Sequence, residues 1–406
     1  MGEIYDKLSI LQLKLEYIQS EEKRKEIERE IKEFQSLTLP PEYDLLMYVN
    51  REIWRLTDII KSISPNNNMY GKVAFDIIDR NQQRFRIKNM INNHFEGSLK
   101  EQKSYKNSHA VLVVTDFWKA VPIARYLLTL YDTLSFEGDT KDIQALFPSS
   151  VGTPEQRYID TDVQVPDMFK YAPISYISGG LLGDFIHQLS VVYEKSMMTG
   201  RKARLYISET VGDKFRLGIE YTYKDIFPVI SKLPYIESFE LYKGQQVDIN
   251  LSSWRDDSNL YSKSWQQIFS IYGVRWGSHP WIYNCTIKPE FENIIFMSTS
   301  STRFNSEINW KEFIDNHPYP VVFLDNQNTT NYNHFTSTTG INIPCYVAVD
   351  FSDLVNCIYS CKKFIGTLSM PLAVADAMKK DRIAIVVPGH MDTPVAIKTN
   401  SSYYPL

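Results

Sequence analysis

The sequence predicts an α/β protein in which two facing α/β domains with largely parallel sheets follow an all-α N-terminal domain. Three observations carry this. From about residue 172, apolar runs of strand length alternate with amphipathic segments of helix length, the pattern of parallel sheets covered by helices on both faces. Within that region Ile177-Ser178-Gly179-Gly180-Leu181-Leu182-Gly183-Asp184-Phe185-Ile186-His187-Gln188 stops an apolar run at glycines and restarts as an amphipathic pattern: a strand, a tight turn and a helix start. Across the first 105 residues, by contrast, apolar residues recur at helical spacing.

Taken in order, Ile4, Leu8, Leu11, Leu15 and Ile18 form one helix face, and Ile27, Ile31 and Phe34 continue it through the charged run 21–33 until Pro40-Pro41 ends the helix. Leu46, Val49, Ile53, Leu56 and Ile60 make a second stripe, broken at Pro65-Asn66-Asn67-Asn68, and a third helix is expected over 73–91. Three antiparallel helices would bury these stripes, with the charged run as a solvated face or, alternatively, a partner-binding coiled coil. In 106–170 the run 110–114 reads as a buried strand, 121–130 as a helix and 158–163 as strand-like, an α/β connecting segment of unassigned fold. Strands are then expected at 174–177, 203–207, 236–241 and 247–249, with helices at 183–197, 223–233 and 261–272. A linker-like stretch at 276–281 precedes a second α/β set: strands at 294–297, 321–324, 363–365 and 383–387, helices at 310–316, 351–361 and 371–378. The expected domains are therefore 1–105, 106–170, 171–282 and 283–406.

Composition narrows the function. At 406 residues the chain has room for two or three domains, and a net charge of −4 argues against a general nucleic-acid binder. The four cysteines (Cys285, Cys345, Cys357 and Cys361) make no CxxC pair, so they read as free thiols of a reducing compartment. Met1-Gly2-Glu3-Ile4-Tyr5 carries no apolar signal segment, Asp6 stands where myristoylation needs a hydroxyl residue, and no run approaches a membrane span. The expected location is cytoplasmic.

Several turns could carry chemistry. Asp184 lies in the first turn of the helix that follows the glycines, either as a carboxylate at the mouth of a cleft or as a helix-terminal charge favoured by the macrodipole. His187 follows one turn later on the same side, as a ligand contact or a packed histidine. Gly180 and Gly183 would let a ligand approach the backbone. At Phe364-Ile365-Gly366-Thr367-Leu368-Ser369-Met370-Pro371, an apolar strand ends in a polar turn and Pro371 fits a first helical turn. Ser369 would cap that helix, whose N–H groups could hold a diphosphate; an ordinary capped turn is the plain alternative. Ser298-Thr299-Ser300-Ser301-Thr302-Arg303 places hydroxyls and an arginine after a strand, suited to phosphate oxygens or to solvent. Walker, HExxH, GxSxG and GxGxxG patterns are absent.

Together, residues 179–188 resemble the N-terminal motif of the heptosyltransferase-like group (family 9) of GT-B glycosyltransferases, and residues 364–379 resemble the donor-site turn of the same group. Leu368 and Ala373 stand where heptosyltransferases carry an aspartate and a histidine, so the resemblance does not name ADP-heptose as donor. Separately, 3–11, 81–84 and 101–105 resemble a small helical domain of unknown function found beside sugar-transfer genes. The resemblance implies a GT-B-like pair of facing Rossmann-like domains over 171–390. It implies a glycosyltransferase, inverting and metal-independent, that moves a sugar from a nucleotide-sugar donor to a glycan or lipid-linked acceptor in glycan or surface polysaccharide synthesis. Asp184 would be the catalytic base; Arg303, Thr302, Gly366, Thr367 and Ser369 would hold the donor phosphates; Gly180, Gly183 and His187 would line the acceptor side. No cofactor and no metal are expected. Partners are the donor and acceptor, with a peripheral membrane contact and a protein partner of the helical domain left open. Asp160-Thr161-Asp162 reads as an acidic strand end, although it resembles the DxD site of another glycosyltransferase class, where carboxylates hold Mg²⁺ or Mn²⁺ on a diphosphate. The alternatives are a nucleotide-sugar epimerase of the same fold and an inactive sugar-binding or scaffold protein.

Overall fold

The structure, a computed structural model, describes residues 1–64, 68–93, 95, 109–131, 133–147, 156–159 (backbone), 172–326, 328–391, 393–400 and 402–404. The chain divides into two compact units, Met1–Tyr171 and Ala172–Leu406. Residues 101–105 and the Asp160-Thr161-Asp162 triplet lie outside the described residues.

In the first unit the helices are α1 (Gly2–Tyr17), α2 (Glu21–Lys32), α3 (Tyr43–Ser62) and α4 (Asn68–Asn93). The stripes bury in part: Leu8, Leu46 and Val49 share one core with Tyr5, Ile87 and Ile91, whereas Ile4, the first residue of the first stripe, is exposed. The stripe expected to run unbroken to Phe34 is instead split at Ile18, which is extended. There the Arg24 guanidinium donates to the carbonyls of Leu15 (2.5 Å) and Ile18 (3.3 Å), satisfying the end of α1 from the start of α2. Arg84, quoted above for the helical resemblance, donates from Nε to the buried Asp6 at 2.8 Å, and Asn50 joins at 2.9 Å. The carboxylate taken into this core is therefore paired and hydrogen-bonded. The same unit contains β1 (His109–Val114), α5 (Phe117–Leu130), β2 (Thr133–Gly138), α6 (Lys141–Leu146) and β3 (Gln156–Ile159), with parallel strands in the order β2-β1-β3. The sequence reading did not foresee β2 or α6.

The second unit carries two separate sheets, parallel throughout. The first is built from β4 (Ile174–Ser178), α7 (Leu182–Thr199), β5 (Ala203–Ile207), α8 (Ile219–Ile230), β6 (Ile236–Leu241) and β7 (Ile249–Asn250), in the order β6-β5-β4-β7. The short α9 (Trp265–Phe269) follows. The second sheet begins with β8 (Ile295–Ser298), α10 (Trp310–Asp315), β9 (Val321–Asn326), α11 (Thr330–Thr339) and β10 (Cys345–Ala348). It continues with α12 (Phe351–Ser360), β11 (Lys363–Thr367), α13 (Met370–Ala377), β12 (Arg382–Ile385), α14 (Thr393–Thr399) and β13 (Tyr403–Tyr404), in the order β10-β9-β8-β11-β12-β13.

The expected linker at 276–281 is not one. Trp276 and Trp281 are buried, and their indole N–H groups donate to the carbonyls of His187 and Ile186 on α7, each at 2.8 Å. Burial of a large ring with its donor satisfied fixes this segment to the first half. α13 packs against α7, and α14 returns to α9, where the Trp265 N–H donates to Thr399 Oγ1 at 3.1 Å. These contacts join the two sheets into one unit. Cys357 and Cys361 are buried free thiols, with burial pushing them up to about 12 and about 11.

Candidate functional site

A cleft of about 760 Å³ opens where the carboxyl ends of both sheets meet, the place where open α/β sheets bind ligands. On the first half, β4 ends at Ser178, whose hydroxyl donates to Gln188 of α7, and the Gly179 N–H donates to Ser252 Oγ at 3.0 Å. A Cβ on Gly179 would lie 1.7 Å from the Val211 carbonyl oxygen, so no other residue fits there. The Gly180 N–H donates to the Asp213 carbonyl at 2.6 Å, and Gly180 is not among the residues lining the cleft. Its part is to bind the turn to the 211–213 loop rather than to meet a ligand.

Leu181 caps α7 without a side-chain hydrogen bond, so Gly183 and Asp184 stand in an uncapped first turn facing the cleft. Asp184 is not a solitary helix-terminal charge. Its Oδ2 accepts from Arg255, which also reaches Asp213 Oδ2 at 2.5 Å and the Gly180 carbonyl at 2.9 Å. The guanidinium lies over the Trp254 ring, 4.6 Å from its centroid. The sequence reading missed Arg255 and Asp213. The one available signal was that Arg255 follows β7, and so falls at the same sheet edge as Asp184.

His187 lines the cleft at its base, 7 % exposed, between Trp265 (4.7 Å between ring centroids) and Trp276 (5.6 Å). Its Nδ1 lies 4.0 Å from Asp376 Oδ2. Burial, reinforced by Arg382 and Lys379, pulls its pKa down to about 3, so the ring is neutral at ordinary pH. Asp376 is bonded to Arg382, and burial pushes its carboxyl up.

The second half contributes the start of α13. Ser369 occupies the N-cap position but donates to the Thr367 carbonyl (3.0 Å) instead of capping, and Pro371 has no N–H. Among the described residues the N–H groups of Met370 and Leu372 find no partner. This helix start meets that of α7: a Cβ on Gly183 would lie 3.5 Å from both the nitrogen and the Cα of Met370. Two positive helix ends converge on one point, beside which Arg303 also lines the cleft.

The remaining residues expected to hold phosphate stand elsewhere. Thr367 is fully buried and its Oγ1 accepts from the Ser300 N–H at 2.9 Å, so it anchors the 300–303 turn from behind. Gly366 is a strand residue whose Cβ would press on the Phe364 ring at 2.6 Å, and Thr302 pairs with Ser300 Oγ at 2.8 Å; neither is among the lining residues. Instead Asn326 at the end of β9, Asn328 in the turn that follows and Asn331 in the first turn of α11 face the cleft. Asn331 is held by Asp325 (3.2 Å) and accepts from the Ser301 N–H (3.3 Å). Among the described residues no group of three or more His, Cys, Asp or Glu is placed to hold a metal ion. The arrangement can hold an anion at the seam of two helix ends with a carboxylate directly alongside.

A model of a family of unknown function, DUF6165, matches residues 1–114. No curated protein matches the chain. Solved structures similar to it include a glycosyl transferase of family 9 from Veillonella parvula, 12 % identical over 57 % of this chain and 86 % of that one, with a TM-score of 0.38. They also include the ADP-heptose LPS heptosyltransferase II of E. coli (11 % identity, 57 % and 92 %, TM-score 0.32). The E. coli heptosyltransferase WaaC with ADP is a third (10 % identity, 54 % and 88 %, TM-score 0.30). No helix among the described residues is long and apolar enough to cross a membrane.

Proposed function

We propose that the second unit is a glycosyltransferase that takes a sugar from a nucleotide-sugar donor to an acceptor hydroxyl. The observation that carries this reading is the meeting of the α7 and α13 N-termini at Gly183 and Met370, with Asp184 in the same first turn. A diphosphate at this seam would accept from the free N–H groups of Met370 and Leu372 and from Arg303, in the role a metal ion plays elsewhere. The asparagines at the carboxyl end of β9 and the start of α11 offer donors and acceptors to the rest of the nucleotide. Asp184 would take the proton of the acceptor hydroxyl as that oxygen bonds to the anomeric carbon and the bond to the diphosphate breaks, inverting the centre. The motif resemblance at 179–188 and 364–379 supports the same assignment. His187, neutral and packed between two tryptophans, serves as a wall of the site and an uncharged hydrogen-bonding surface.

The test is calorimetry with a panel of nucleoside diphosphates and nucleotide sugars, followed by transfer assays with the donor that binds. Binding with turnover to a glycan or lipid-linked acceptor supports the proposal. Binding with sugar isomerisation and no transfer would make the protein an epimerase. Binding without chemistry would leave a sugar-binding scaffold.

A further inference from the structure

We infer that Arg255 is the positioning residue of Asp184, a reading that rests on the base role proposed above. One guanidinium ties three groups of this corner together: Asp184 and the Gly180 carbonyl on one side, Asp213 on the other. Its Nε is buried without a hydrogen-bond partner, so the side chain leaves a donor unsatisfied while both terminal nitrogens are committed to carboxylates. The surrounding chain is shaped to admit it. Gly212 has φ +63°, and a Cβ there would sit 2.8 Å from Ser252 Oγ and 3.5 Å from Arg255 Nε. Trp254 covers the guanidinium face, leaving only in-plane bonding. The fork therefore sets the rotamer of Asp184 at the mouth of the cleft and favours its charged form. Asp213, half-exposed and sharing the fork, opposes that by like charge.

The groups that face Asp184 are Arg255 and Asp213 from the two neighbouring loops, His187 on its own helix, Arg216 at the rim, and Arg303 and Asp376 from the other half. Arg255 bonds both Asp184 and Asp213, and each of the two can be substituted on its own. The experiment is a ¹³C carboxyl NMR titration of the full chain labelled at aspartate, with the Asp184 signal assigned by its loss in Asp184→Asn. In Arg255→Met the Asp184 midpoint should rise by about one pH unit or more. Arg255→Lys, which keeps the charge but not the fork, should fall between. Asp213→Asn should lower the midpoint. If Arg255→Met fails to fold, Arg255→Lys and the double variant Arg255→Lys/Asp213→Asn, compared with Asp213→Asn, decide the matter. An Asp184 midpoint unmoved by every folded variant overturns the inference. The acid limb of kcat/KM should follow the NMR midpoint in each variant. If the NMR midpoint moves and the acid limb does not, Arg255 governs Asp184 but Asp184 is not the base, and the proposed mechanism fails instead.

Discussion

Gly183→Ala separates stability from binding. Gly183 lies in the first turn of α7 with no positive φ, and its nearest prospective contacts, the nitrogen and Cα of Met370, stand at 3.5 Å, an ordinary van der Waals distance. A methyl therefore fits. A helical alanine is favoured over glycine by about 0.5–1 kcal/mol. For a unit of this size that is a rise in melting temperature of about 1–4 °C. Yet the methyl occupies the space against Met370 N where a phosphate oxygen would have to lie. Losing one charge-assisted hydrogen bond costs about 1.5–3 kcal/mol, or roughly a 10- to 150-fold weaker Kd. Differential scanning fluorimetry and calorimetry with the nucleoside diphosphate that binds wild type measure the two effects. A higher melting temperature with weaker diphosphate binding is expected. A higher melting temperature with Kd unchanged would refute the seam as the phosphate site, and a lower melting temperature would refute the open geometry itself.

Other consequences follow from the same structure. Thr367→Val removes the acceptor for the Ser300 N–H, at a cost of about 1–3 kcal/mol, and should weaken diphosphate binding by loosening the Arg303 turn. Thr367→Ser should restore both, and a serine variant as weak as the valine one in binding would contradict the anchoring role. His187 has a folded-state pKa near 3, below its unfolded value of about 6.5. The unfolded chain therefore binds a proton that the folded chain refuses, and stability complete above pH 6.5 is lost as pH falls toward 3. The raised carboxyl of Asp376 works in the opposite sense, so the comparison to make is His187→Gln against wild type in chemical denaturation from pH 7 to 4, where the variant should show the flatter profile. Chelator should leave transfer unchanged; strict Mn²⁺ or Mg²⁺ dependence would return attention to Asp160 and Asp162.

Much of the second unit was legible because its strands are short apolar runs and its turns are punctuated by glycine and proline. β4, β8 and β11 fall where those runs stand. α11 escaped because Thr330–Thr339 is polar almost throughout and buries only Phe335, so it has no stripe. The 276–281 stretch misled through its Gly, Ser, His and Pro content, although its two tryptophans are held by α7. Of the candidate site, the local turns could be read from spacing, which singled out Asp184, Gly183, Ser369 and Arg303 but left Asp184, Ser369 and Arg303 each with a plain alternative; all four line the cleft. Spacing could not show which way a strand-end residue faces: Thr367, which the resemblance implies as a phosphate contact, turns its hydroxyl to the Ser300 N–H, and Gly366 lies against the Phe364 ring. Nor could it pair Asp184 with Arg255, 71 residues away.

The central claim is that Asp184 is the base of a transfer reaction, and Asp184→Asn tests it most directly. The amide keeps the shape but cannot accept the proton, and a general base contributes about 10²–10⁴-fold to rate. Single-turnover transfer should fall by that factor while donor affinity stays within a few-fold of wild type. Wild-type transfer in the Asp184→Asn protein would contradict the account.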